Sequence, residues 1–259
     1  MQILNAGGQS YGSERLTLVA RELLEYEPDM LFIYMGHNEF EEAEQLALIR
    51  PDLSGFSEAA FESSALVRLT VTALSSARIH ALEEQHRMRV LTEEPNTTRA
   101  WRTQFTERDV ENRMRTFRAN LSRIIEQYKA KGVPVILSTV PSNLVKPYLP
   151  KESVQDFFPA FRAYKLGQFE ESKRIARKVL SEAIGRHQSS DRENAILREL
   201  ALSYQLPLLD VEALISRSEP HGIPGETLFA DHCHLNARGN SILAEALEAM
   251  ILKIGPTAR

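Results

Sequence analysis

Asp231 and His234 stand three residues apart, just ahead of an apolar-periodic stretch. At that spacing a carboxylate can accept the imidazole Nδ1–H. This fixes the tautomer, stabilises the imidazolium and leaves Nε2 free as a general base. The same spacing also suits a surface pair that caps a helix. Gly36-His37-Asn38-Glu39 follows an apolar run. Gly36 and Asn38 fit a tight turn, and an amide there can donate to a developing oxyanion, worth about 3–4 kcal/mol; they fit an ordinary strand-to-helix turn equally well. Gly7-Gly8 precedes a helical stretch, where backbone N–H groups often bind anions. Gly8-Gln9-Ser10-Tyr11-Gly12 matches the Gly-x-Ser-x-Gly nucleophile elbow. That motif belongs to folds with several strands and an oxyanion loop ahead of it, and none precede it here. Ser10 is therefore expected to contribute its backbone N–H, with its hydroxyl the weaker candidate for nucleophile.

Asp231, His232, Cys233 and His234 are all metal-ligand types. Four consecutive residues do not easily point at one ion, and no second cluster completes a site, so no metal is expected. Cys233 reads as a small buried apolar residue. His80, His86, His187 and His221 show no pairing logic.

The elements that must position these residues alternate in type. Strands are expected at Gln2–Ala6, Met30–Met35, Val133–Val140 and Leu206–Val211, the middle two apolar throughout as strands buried on both faces are. One helix is expected after the first run, with Ser13 as N-cap and Pro28 closing it. Another carries the stripe Val110, Met114, Phe117, Leu121, Ile124, Tyr128 and stops at Gly132. A last one carries Ile242, Leu243, Ala246, Leu247, Met250 and Ile251, stopped by Gly255-Pro256. Alternating strands and helices imply a parallel sheet covered on both faces. Helical patches such as Ala59–Leu74 and a polar stretch, Glu83–Thr106, stand outside that pattern. So does a helical insert over residues 150–202, whose Ala163–Glu171 stretch resembles one tetratricopeptide hairpin. A single such unit cannot bury its face alone, so the insert is expected to pack on the main domain, residues 1–149 and 203–259.

Composition narrows the classes. The chain has 259 residues, with 31 basic against 35 acidic residues, one cysteine, 12 Gly and 12 Pro. A net charge of −4 gives no basic footprint for nucleic acid. One cysteine excludes a disulfide framework and a Cys-cluster zinc site within one chain. The longest uncharged stretch, Gly132–Val145, is too short and too broken by proline to span a bilayer.

In their order, these motifs resemble the SGNH (GDSL-like) ester-hydrolase superfamily. Asn5-Ala6-Gly7-Gly8 looks like its second block, Gly36-His37-Asn38-Glu39 its third, and Asp231-x-x-His234 its fifth. Closer still is a bacterial subgroup with a Gly-His-Asn-Glu-Phe stretch, here Gly36 to Phe40, and tetratricopeptide-like inserts. Val133-Pro134-Val135-Ile136-Leu137, Pro141-Ser142-Asn143, Leu206–Val211 and Gly222-Ile223-Pro224-Gly225 add to the match. The resemblance implies a three-layer α/β/α fold with a flavodoxin-like parallel sheet, and acyl transfer from a small-molecule ester through a serine nucleophile. It implies His234 as base, Asp231 as its orienter, and an oxyanion hole from Asn38, the Ser10 N–H and the Gly36 turn. No cofactor is implied. A protein partner at the helical insert, and transfer of acetyl groups rather than hydrolysis, are the alternatives.

Three departures follow. The family's nucleophilic serine lies in a block ahead of the Asn-Ala-Gly block, and only four residues precede Asn5. Ser10 stands where the second block usually has glycine, and Glu39 where the third usually has Asp. In a 2-1-3-4-5 sheet the missing block would also remove an interior strand, a loss of roughly 25 residues or more. The expectation is a fragment or an internal start at Met1, inactive as it stands, or a short form without hydrolase activity. Localisation stays open: cytoplasmic as it stands, unless an upstream export signal or anchor is missing.

Overall fold

The computed structural model describes residues 2–49, 64–67, 69–71, 73–74, 77 and 105–255. It divides into two compact units, Met1–Glu42 with Ala100–Arg259, and Ala43–Arg99. Of the patch Ala59–Leu74, the described residues 65–67, 69–71 and 73–74 are helical and Ser64 is not; the stretch Glu83–Thr106 lies almost wholly outside the described residues.

The first unit is α/β. Strands β1 (Leu31–Tyr34), β2 (Val135–Ser138) and β3 (Leu208–Leu209) form a parallel sheet in the order β1-β2-β3. The register pairs Leu31 with Val135 and Tyr34 with Ser138, then Leu137 with Leu208. That is the run of the last three strands in a flavodoxin-like order. All four β2 residues are buried, as expected of a central strand covered on both faces.

Alternation along the strands divides the core. Ile33, Val135 and Leu137 pack with helices α1 (Ser13–Leu23), α3 (Glu107–Ala130) and α6 (Asp191–Tyr204). Phe32 and Ile136 face the other way, against α7 (Val211–Ser218) and α8 (Ala237–Ile254). The result is three layers. Helix α3 begins at a capping box, in which Asp109 N donates to Thr106 Oγ1 and Thr106 N to Asp109 Oδ2. Its expected stripe, Val110 to Tyr128, is buried throughout. Gly132, at φ +69°, turns the chain into β2.

Two local expectations fail. Gln2–Ala6 forms no strand, and Ile3 is 77% and Leu4 56% exposed. A strand needs a ladder, and in a 2-1-3-4-5 order this segment would not neighbour β1. Ser13 is not an N-cap: Gly12 holds that position and Ser13 is the first residue of α1.

Residues 150–202 contain α4 (Val154–Lys165), α5 (Phe169–Glu182) and α6. The α4–α5 hairpin does not stand alone. Ala160, Ala176, Val179, Leu180 and Ala183 bury against Leu144, Leu149 and Ile223 from loops of the sheet domain. No described helix is long and apolar enough to cross a membrane.

Candidate active site

The C-terminal ends of β1 and β2 point to one region, where loops carrying most of the singled-out residues meet. The Asp231 turn organises itself. Asp231 Oδ1 accepts from Cys233 N at 2.8 Å and His234 N at 2.7 Å, and Oδ2 lies 2.7 Å from His234 Nδ1. Partial burial works to raise the Asp231 pKa, but the two N–H donors and the His234 ring outweigh it and hold the carboxyl well below its usual range. The His234 side chain is 75% exposed, so Nε2 is open to an incoming group.

Asn143, in the loop after β2, bolts this turn to the sheet. Its backbone N donates to His232 O at 3.0 Å, and Nδ2 donates to Asp231 O at 2.9 Å. Its Oδ1 accepts from Val145 N and Lys146 N, so the side chain cannot swing. Gly225 passes so close that a Cβ there would sit 1.9 Å from Asn143 Oδ1.

The turn after β1 splits its side chains. Asn38 Nδ2 donates to Tyr11 O at 3.3 Å, joining the Asn38 turn to the Ser10 loop. His37 turns the other way, and its Nδ1 accepts from Ser189 N at 3.1 Å. Burial, with His232 and His234 nearby, lowers the His37 pKa to about 3, so the ring is neutral at physiological pH. Gly36, at φ +151°, lets Val140 and Ser189 close over the turn.

Ser10 adopts φ +61°, the left-handed conformation a glycine usually supplies. Its Oγ donates to Glu41 Oε1 at 2.5 Å, and the Glu41 charge acts on both His232 and Cys233. Through Glu41 the Ser10 loop is coupled electrostatically to the Asp231 turn. Among the described residues, no serine hydroxyl is hydrogen-bonded to His234.

The N-terminus of α1 is already filled. Gly12 N, Glu14 N and Arg15 N donate to Glu42 at 3.0, 2.9 and 3.0 Å, and Ser13 N donates to Glu39 at 2.8 Å. Arg113 faces both carboxylates, with Nε 2.9 Å from Glu39 and Nη2 2.6 Å from Glu42, and Nη1 reaches Glu14 at 2.7 Å. Glu39 and Glu42 are fully buried. Burial pushes the Glu39 pKa up to about 7 against the pull of Arg113 and Ser13. The anion-binding expectation for the helix after Gly7-Gly8 is thus met by the protein's own side chains, carried on α2 (Glu39–Ile49).

Sequence reasoning missed several neighbours. His187 stacks edge-on against Tyr148, with ring centroids 4.4 Å apart, and Tyr148 also lies 5.2 Å from His232. His221 pairs with Glu226 at 2.6 Å, away from this region. Only residue separations too large for a local pattern, such as 148 to 187, bring the first set together. Of the four consecutive ligand types Asp231 to His234, three bring a donor atom together: one each from Asp231, Cys233 and His234 lies within 4.8 Å of the others, and His232 stays outside the group.

No family model matches the chain, and no curated protein matches it. Among solved structures it is similar to a GDSL-like lipase from Bacteroides thetaiotaomicron VPI-5482, with a TM-score of 0.46 and 13% identity over 95% of this chain and 73% of that one. It is also similar to a candidate acylhydrolase from Bacteroides fragilis NCTC 9343, with a TM-score of 0.45 and 13% identity over 95% of this chain and 72% of that one.

Proposed function

We propose that this chain carries the base and oxyanion side of an SGNH-type ester hydrolase. In this reading His234 takes a proton at Nε2 while Asp231 holds Nδ1–H and stabilises the imidazolium that forms. Asn38 Nδ2 and the Ser10 N–H bind the oxyanion of the tetrahedral intermediate. The observation that carries the reading is the 2.7 Å Asp231–His234 contact with Nε2 facing solvent. The ordered blocks from Asn5 to His234 add to it. Ser10 enters through its backbone, because its hydroxyl is committed to Glu41. The substrate is a small-molecule ester; among the described residues no serine hydroxyl is hydrogen-bonded to His234.

Cleavage of p-nitrophenyl acetate tests this directly. The chain alone should show no burst of p-nitrophenol above His234→Ala. Added methanol should stand in for the nucleophile and give His234-dependent release, which Asn38→Ala reduces by about a hundred- to a thousandfold. Absence of any methanol effect would contradict the reading. A His234-dependent burst without methanol that Ser10→Ala abolishes would make Ser10 the nucleophile. With a sugar added in place of methanol, an acetylated sugar formed in preference to acetate would mark the same dyad as a transferase.

A second reading is a protein contact at the helical insert. It rests on Phe158, Phe161 and Leu166, exposed by 61, 43 and 63% along α4 and its end. Loss of a pulled-down partner on Phe158→Ser/Phe161→Ser would favour it.

A further inference from the structure

The Asp231 turn presents an oxygen, a sulfur and a nitrogen donor, and we infer that it binds a borderline-soft divalent cation such as zinc(II) through Asp231 Oδ2, Cys233 Sγ and His234 Nδ1. One ligand atom from each of the three residues lies within 4.8 Å of the others. Around a tetrahedral zinc, ligands at their usual bond lengths stand about 3.3–3.6 Å apart. Cys233 Sγ and His234 Nδ1, at 3.5 Å, already meet that spacing. Asp231 Oδ2 and His234 Nδ1, at 2.7 Å, must open only enough to admit the ion in place of the proton between them. Asp231 Oδ1 stays held by Cys233 N and His234 N, and the His234 ring, 75% exposed, can turn to admit the ion; that exposure also leaves a fourth position for water. A mixed N, O and S set is one that zinc accepts and that magnesium and calcium do not.

The proton balance has a consequence. When the metal takes the Nδ1 lone pair, the proton that Nδ1 shared with Asp231 moves to Nε2 through solvent. The thiol proton is released to solvent, one per metal bound. Nε2 then carries hydrogen and no longer accepts a proton. The loaded form thus lacks its base, a regulatory consequence that rests on the ester-hydrolase reading; the binding itself does not.

Titration of the metal-free chain with cobalt(II) tests the site whether or not the chain cleaves esters. Cys233 is the sole cysteine, so any thiolate-to-cobalt charge-transfer band reports on it. The expected result is a band that saturates at one equivalent, is displaced by zinc, and disappears in Cys233→Ser. Affinity should fall at least tenfold in His234→Ala, whose exposed side chain bears little on folding. No band at millimolar cobalt, or undiminished affinity in His234→Ala, would overturn the inference. Ester cleavage measured under a chelator keeps the fate of the hydrolase reading separate.

Discussion

Replacing Glu39 by Gln should remove a pH dependence of stability written into the core. Glu39 is fully buried, beside Glu42 and Arg113. Its pKa rises from 4.5 to about 7, chiefly through burial. The folded state therefore holds this proton more tightly than the unfolded state does. Between those two values the folded state binds more protons, so this group's contribution is fully present below 4.5 and is lost as pH rises through about 7. Two and a half units at 1.36 kcal/mol each give about 3 kcal/mol. Glu39→Gln resembles the protonated form and keeps an acceptor for Ser13 N, but it cannot ionise. Urea unfolding of both proteins from pH 4.5 to 8 isolates the effect as a difference, because every other titrating group is common to the two. The gap between variant and parent should move by about 3 kcal/mol in favour of the variant as pH rises across that range. A gap that stays constant, or one that moves the other way, would refute the assignment of a strained charge at Glu39.

Arg113→Met leaves two buried carboxylates without their cation, and should cost about 3–5 kcal/mol at neutral pH by urea midpoint, with partial recovery in acid. Gly225→Ala drives a Cβ into Asn143 at a backbone φ of +108°, and should cost roughly 1–3 kcal/mol in the same assay. Asn143→Asp replaces the donor to Asp231 O by an acceptor. Proteolysis or hydrogen exchange at residues 231–234 should then quicken while α3 stays protected. Phe158→Ser and Phe161→Ser, on exposed positions, should leave unfolding within about 0.5 kcal/mol of the parent.

What was legible in the sequence is what local physics decides. The stripe on α3 follows the helical period between a capping box and Gly132, and each of its members is buried. β2 is an unbroken apolar run because both its faces are covered. The Asp231–His234 contact is an i, i+3 pair, so the sequence spacing allowed it, alongside a surface helix-capping pair, before any long-range partner was known. Long-range partners were not legible. The start of α1 is fixed by Glu39 and Glu42, 26 to 30 residues away, and Ser13 lost its expected capping role to them. Apolarity at Gln2–Ala6 does not make a strand when no ladder stands beside it. Asn143 reaches across 88 residues to Asp231, so it stood out in the sequence only as part of a motif. Cys233 and His234 converge because Asp231 captures both of their N–H groups and curls the turn, which a reading of consecutive side chains does not anticipate.

In the proposed dyad, Asp231 holds His234 with its proton on Nδ1 and its lone pair on Nε2. Nitrogen-15 NMR of the neutral His234 ring, in metal-free buffer, reads this directly. The expected result is the Nδ1–H tautomer in the parent chain and a mixed or reversed tautomer in Asp231→Asn. A proton resident on Nε2 in the parent would contradict it, because His234 then has no lone pair with which to act as a base.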